Sequence, residues 1–251
     1  MAAEGKTIDA LSQFELAPVL GIFGHAVGFT QSNAHMLLAA GLIVALMIWG
    51  TAQRAIIPGR LQALAESSYE FVHGLVVEQI GEEGRRFFPF VFTLFMFILF
   101  GNMIGLFPYA FTFTSHIVVT LSLAMVVFVL ITVVAIMLHG RKFLGYFFPE
   151  GAPVWLAPII VPVEIVSYLS RPVSLSIRLF ANMVAGHVML KVFATFIVLL
   201  GGLGAIGPFV ATLPLALNVA LVGFEILVAF LQAYVFAILT CIYLHDAVHL
   251  H

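Results

Sequence analysis

FFPFVFTLFMFILFGNMIGLFPYAFTFTSHIVVTLSLAMVVFVLITVVAIMLHG, residues 87–140, contains no Asp, Glu, Lys or Arg. As one helix at ~1.5 Å per residue this stretch would be about 80 Å long, against ~30 Å of bilayer hydrocarbon. It therefore reads as two membrane spans. The natural turn is Phe107-Pro108-Tyr109, because proline cannot continue a helix. The spans are expected at 88–107 and 113–138.

The rest of the chain has the same character. Of its 251 residues, 63% are hydrophobic and 9% charged, where an ordinary soluble domain carries roughly 25% charged residues. A water-facing surface cannot be built from so few charges, so the bilayer is the solvent for most of the chain. The net charge of -2 points away from a nucleic-acid partner. One cysteine, Cys241, excludes an internal disulfide and a cysteine-cluster metal site. It reads as a small packed residue.

Toward the N-terminus, residues 16–53 again lack Asp, Glu, Lys and Arg and supply a span at 34–53. Residues 1–30 form an outside segment; the first 15 are polar and of mixed charge, without the order of a signal peptide, so the first span is retained. Between spans one and two, Leu61, Leu64, Phe71, Leu75 and Ile80 recur at near-helical spacing with Glu66, Glu70 and Glu78 between them. This predicts an amphipathic helix at 59–83, lying on the membrane surface or packing on partners. Toward the C-terminus, residues 153–244 are apolar apart from isolated polar residues and a glycine-rich turn at 201–208. The two arms, 154–200 and 208–245, exceed the ~20 residues of an upright span. Each arm is broken or strongly tilted, and length permits both. The whole chain reads as a single all-α integral membrane domain, 1–251, with no internal repeat.

Basic residues in the loops set the expected orientation. Arg54, Arg60, Arg85 and Arg86 follow span one, and Arg141 and Lys142 follow span three. Those segments face the cytoplasm, the N-terminus lies outside and the C-terminus inside. The tail His245, Asp246, His249 and His251 reads as polar and solvated rather than as a metal site.

Glu164, Arg171, Arg178, His187, Lys191 and Glu225 lie inside the apolar arms. A charge at the bilayer centre costs ~3 kcal/mol on insertion scales, so such residues face a bundle interior or a water cavity, or pair between helices. Residues seven apart nearly eclipse on a helix. Glu164, Arg171 and Arg178 are successive sevens, and Ser167, Ser174 and Asn182 lie within about 40° of that line. His187 falls on the opposite face, which Lys191 shares. In the second arm Asn218, Glu225 and Gln232 are again successive sevens. Folding the arms about the glycine-rich turn places Arg178 level with Gln232 and His187 within a turn of Glu225, nearer the outside. Glu164 lies ~21 Å from Arg178 along the axis, on the cytoplasmic side. His and Glu change protonation at accessible pH, whereas Arg does not. A fixed cation that repels a hopping proton and attracts a deprotonated acid can separate two aqueous paths.

Ser170-Arg171-Pro172-Val173-Ser174-Leu175-Ser176-Ile177-Arg178-Leu179-Phe180-Ala181-Asn182-Met183-Val184-Ala185-Gly186-His187 closely resembles subunit a of F-type ATP synthases of the bacterial form. Further matches are Leu231-Gln232-Ala233-Tyr234-Val235-Phe236, then Leu239-Thr240-Cys241-Ile242-Tyr243-Leu244, and Asn102-Met103-Ile104-Gly105-Leu106-Phe107-Pro108. The resemblance implies one upright span, a surface helix, an upright pair and a long tilted hairpin. It implies that Arg178 is the essential arginine facing a ring of c subunits. His187 and Glu225 would form the exchangeable pair of an outer half-channel, in reversed order. Glu164 would be the carboxylate of the cytoplasmic half-channel, and Asn182 and Gln232 would orient the arginine and water. Asn218 is added from the seven-residue stripe. The implied partners are the c-ring, the peripheral-stalk b subunits, protons, water and lipid; no cofactor and no metal is expected. The implied function is proton translocation in the F0 sector of the bacterial inner membrane, coupled to ATP synthesis in a remote sector, with no covalent chemistry in this chain. Gly105 stands where some members carry an acid. The competing readings are a self-contained proton-coupled transporter, which predicts repeats and a substrate pocket, and a scaffold whose charges merely hold helices together.

Overall fold

The computed structural model describes residues 18–21, 28–52, 57–107, 110–140, 143, 145 and 154–248. Six α-helices make up the body: α1 (Gln31–Ala52), α2 (Arg60–Ile80), α3 (Phe88–Gly105), α4 (Ile117–His139), α5 (Ala157–Gly201) and α6 (Gly207–Val248). Five of them, all but α2, are long and apolar enough to cross a membrane. The chain is an all-α integral membrane protein. One addition precedes α1: a small antiparallel pair, β1 (Pro18–Gly21) with β2 (Gly28–Thr30), in which Leu20 pairs with Phe29. The expected turn at Pro108-Tyr109, the basic residues Arg54, Arg141 and Lys142, and His249 and His251 lie outside the described residues.

Helix α2 is amphipathic. Ala65, Val72, Leu75, Val76 and Ile80 are buried on one side, while Glu66, Glu70 and Glu78 are exposed. Its buried side packs on α1, α3 and α6. Aromatic contacts fix it there: Tyr69 meets Phe88 edge-on at 4.6 Å between ring centroids, and Phe71 lies 5.6 Å from Phe95 and 5.8 Å from Phe230. Gly81, at φ 85°, ends the helix in a backbone region that side-chain-bearing residues avoid. A 3-10 turn, Glu82–Phe87, then leads into α3.

The membrane helices meet through small residues. Without a hydrophobic force between helices in lipid, close backbone approach supplies the association energy. On α6, Ala229, Ala233 and Ala237 are fully buried at four-residue spacing, and α6 packs on α3 there. On α4, Thr120, Ala124, Val127, Ile131 and Ala135 form one buried stripe against α5 and α6. Helix α5 runs unbroken through Pro162 and Pro172 over 45 residues and buries Tyr168, Pro172, Leu175, Ser176, Leu179 and Met183. Its partner α6 continues for 42 residues through Pro214. The two arms are thus single long helices joined at Gly202–Ile206, packed together as a hairpin. A short 3-10 turn, Phe113–Ser115, lies between α3 and α4 and is buried.

Phe113 is 1% exposed and lies against Gly101. A Cβ at position 101 would overlap the end of the Phe113 ring. Gly101→Ala is therefore expected to destabilise the protein by roughly 1–3 kcal/mol through overpacking. The check is the thermal unfolding midpoint of the purified protein in detergent, which should fall.

Candidate functional site

Arg178 sits at the middle of α5 and its side chain is exposed. Its neighbours on that face are also exposed: Ser174, Ala181, Asn182 and Ala185, with exposed Ile177 at the edge. Apart from Ser174 and Asn182 the face is apolar. Among the described residues, Arg178 makes no hydrogen bond and no ion pair. Four residues on, Asn182 Nδ2 donates to Gln232 Oε1 at 2.8 Å, tying the two arms of the hairpin one turn from the guanidinium. Gln232 is 4% exposed.

Toward the glycine-rich turn lies a second polar level. Glu225 on α6 is 9% exposed, with Oε1 pressed against Gly186 of α5. A Cβ at 186 would occupy the carboxylate's place, so glycine there is a steric requirement. Oε2 of Glu225 is buried without a hydrogen-bond partner among the described residues. Asn218 Oδ1, two turns back on α6, is buried and unpartnered in the same sense. His187, next to Gly186, is half-buried. Its Nε2 lies 2.8 Å from Thr112 Oγ1, in the loop after α3. Lys191 is half-buried one turn further along α5.

The loop carrying Thr112 brings in residues that sequence reasoning did not single out. Thr114 Oγ1 donates to Asn102 Oδ1 at 2.9 Å, and Asn102 Nδ2 donates to the Ala229 carbonyl at 3.4 Å. The Phe111 amide donates to His35 Nε2 at 3.1 Å. His116 stacks on Phe111 at 5.1 Å, with Nε2 buried and unpartnered among the described residues. Burial pushes the His116 imidazole below its ordinary value, since it disfavours the charged form. No periodicity could have revealed these residues; Asn102 opened one of the family matches, and the signal for the loop was the run of hydroxyl residues and histidine, Thr112 to His116, in an otherwise apolar stretch.

The candidates toward the start of α5 separate. Glu164 is half-buried near the start of α5, with no ion pair among the described residues. Arg171 pairs with Asp246 of α6 at 3.5 Å and lies over the rings of Tyr243 and Tyr168 at 4.8 and 5.3 Å. Tyr168 in turn shares a 2.8 Å hydrogen bond with Thr132 of α4. Arg171 therefore joins α5 to α6 as a structural ion pair, although it lies on the same stripe as Arg178. Among the described residues no cluster of three or more His, Cys, Asp or Glu could hold a metal.

Five helices long and apolar enough to cross a membrane, with ionisable side chains within the long terminal hairpin, define a multi-pass membrane protein. The family described as the ATP synthase A chain matches residues 34–245. The chain is 66% identical over 252 residues to the ATP synthase subunit a of Granulibacter bethesdensis, covering 100% of both chains. It is 60% identical over 250 residues to that of Acidiphilium cryptum, covering 99% of this chain and 100% of the other. With that of Rhodopseudomonas palustris strain BisB18 it shares 52% over 245 residues, covering 96% and 98%. The chain belongs to the ATP synthase A chain family, and is accordingly a membrane component of a multisubunit ATP synthase.

Arg171→Ala removes an ion pair and two cation–π contacts at once, and is expected to lower the unfolding midpoint of the detergent-purified protein by a few degrees. Arg171→Lys keeps the charge but loses the planar stacking and should fall between the two. An unchanged midpoint in Arg171→Ala would show that the α5–α6 junction does not depend on this residue.

Proposed function

We propose that this chain is the stationary proton-path subunit of the F0 sector, working against a rotating ring of c subunits that each carry a carboxyl group. The observation that supports this best is the exposed guanidinium of Arg178 on an apolar face, without a counter-charge among the described residues. An arginine cannot shed its proton, and a bare cation facing hydrocarbon is costly. The face therefore belongs against another subunit that presents an acid at that depth.

The chemistry follows from the two polar levels. A proton arriving from the outside passes by Asn218, His187 and Glu225. The unpartnered buried oxygens of Asn218 and Glu225 suit a path lined for water and protons, because buried polar atoms require partners. The proton neutralises a ring carboxylate that has just left Arg178. A neutral carboxyl group crosses the lipid-facing part of the circuit cheaply, whereas an ionised one does not. On its return the group reaches the cytoplasmic path, where Glu164 accepts the proton, and Arg178 attracts the resulting carboxylate. The positive charge also repels any proton attempting to pass directly between the two paths. Asn182 and Gln232, bonded to each other beside the guanidinium, hold the polar lane open and orient water. Charge transfer then appears as ring rotation, which drives ATP synthesis elsewhere; this chain is not itself a catalyst.

In this reading the α2 side and the start of α5 face the cytoplasm, the α3–α4 loop and the Gly202–Ile206 turn face outside, and the hairpin lies tilted along the ring in a bacterial inner membrane. The b subunits of the peripheral stalk hold the chain against the torque, with lipid covering the remaining apolar surface.

Arg178→Ala is expected to abolish ATP-driven proton pumping in inverted membrane vesicles, by at least about 100-fold given the role of a fixed transition charge, while the complex still assembles. Arg178→Lys should remain severely impaired, since a compact ammonium neither matches the planar fork nor resists deprotonation when desolvated. Coupled pumping at the native rate in an assembled Arg178→Ala complex would rule the assignment out and favour the scaffold reading.

A further inference from the structure

We infer that Thr112 is a positioning residue for His187, keeping the imidazole hydrogen-bonded in both of its protonation states; this rests on the outer proton path proposed above. Thr112 is 5% exposed and sits with Oγ1 2.8 Å from His187 Nε2. A hydroxyl is both donor and acceptor. It donates to Nε2 when that nitrogen is bare and accepts from it when it is protonated, by rotation about a single bond. A carboxamide oxygen only accepts and an amide NH2 only donates, so neither serves both states from one atom. A group that must repeatedly gain and lose a proton without swinging away is suited by that kind of neighbour.

The hydroxyl is held in place from several sides. Ser115 donates through Oγ to the Thr112 carbonyl at 2.6 Å, and through its amide at 3.1 Å. The preceding amide, Phe111 N–H, donates to His35 Nε2, while His35 Nδ1 lies 2.8 Å from the Gln31 carbonyl. That arrangement makes His35 a neutral imidazole with its proton on Nδ1, joining the loop to α1. Thr114 bonds Asn102 and so joins the loop to α3. The Thr112 side chain fills the space beside Gly105: a Cβ there would overlap Oγ1 and approach Cγ2 and Cβ at 2.7 and 2.8 Å. Glycine at 105 and threonine at 112 are thus one steric unit, and the lack of a side chain on α3 is what lets the hydroxyl reach α5. The ionisable groups in this region are Glu225 from α6, Lys191 one turn on along α5, His35 from α1 and His116 at the head of α4.

The test uses the whole ATP synthase in native membrane vesicles. Proton conductance of the membrane sector is measured across a range of pH, alongside the amount of assembled complex. Thr112→Val keeps the shape and removes the hydroxyl; it should lower conductance by about tenfold, taking the lower end of the loss found when a partner that orients a metal-ligating histidine is removed as the scale, and displace the pH at which flux is half-maximal. Thr112→Ser should restore both to within about twofold. Gly105→Ala retains the hydroxyl but takes its space and should behave like Thr112→Val. Native conductance and pH dependence in Thr112→Val, or a Thr112→Ser variant as impaired as Thr112→Val, would overturn the inference. If Thr112→Val does not assemble, native behaviour of Gly105→Ala overturns it equally. An Arg178→Ala arm, read by ATP-driven pumping in the same vesicles, separates the two claims: if that variant pumps normally the proton-path reading fails, and if it does not pump while Thr112→Val is native in conductance and pH dependence, only the role of Thr112 fails.

Discussion

Hydrocarbon cannot solvate a guanidinium, and a guanidinium cannot escape by losing its proton. Arg178 meets both conditions at the middle of a 45-residue helix, on a face shared with Ala181, Ala185, Ser174 and Asn182. Arg171, two turns earlier, shows how the same residue type is handled when the chain compensates it internally: an aspartate, two tyrosine rings and a place between helices. The contrast separates structure from function on a single helical stripe. One cation is consumed in holding α5 to α6. The other has no counter-charge among the described residues, and in the proposed reading the hairpin is the means of presenting it to a partner.

That presentation needs stiffness. Small residues on α6 and α4 bring the helices close enough for dispersion to hold them, and the aromatic contacts of α2 with α3 and α6 brace the assembly from one side. The Asn182–Gln232 bond fixes the register of the hairpin beside the arginine, and Glu225 lodged against Gly186 fixes it again one level nearer the glycine-rich turn. Neither contact tolerates sliding: a slip of one residue would carry Asn182 or Gly186 about 100° round the helix. The α3–α4 loop then closes over this second level, adding hydroxyls and imidazoles where the hairpin supplies a carboxyl group and a histidine.

Much of this was readable in the amino-acid order because the membrane imposes strong constraints. Charge-free runs longer than a bilayer demand helical spans, so the all-α class followed from length and composition alone. Polar residues at seven-residue spacing on otherwise apolar arms identified one face of each arm, and the stretch around Arg178 carried the family resemblance. Other features depended on tertiary register. Arg171 and Arg178 are indistinguishable by spacing; they differ because Asp246, 75 residues from Arg171, returns to one of them. Thr112 and His187 are likewise 75 residues apart, and a threonine in a loop has no periodicity to betray it. Asn102 was noticed only as part of a motif, yet it is fully buried and links α3 to the α3–α4 loop and to α6. The β1–β2 pair lies in a segment with no strong alternation of apolar and polar residues, and nothing in the order of residues pointed to it.

The most direct measurement is the distance, in a structure of the assembled ATP synthase, from the guanidinium carbon of Arg178 to the nearest carboxyl group of another subunit. The account expects a ring carboxylate within about 6 Å at some rotational position, the range in which opposite charges bias ionisation. Finding the α5 face of Arg178 against lipid throughout the rotary cycle, or its guanidinium paired with an acid of its own chain, would contradict it.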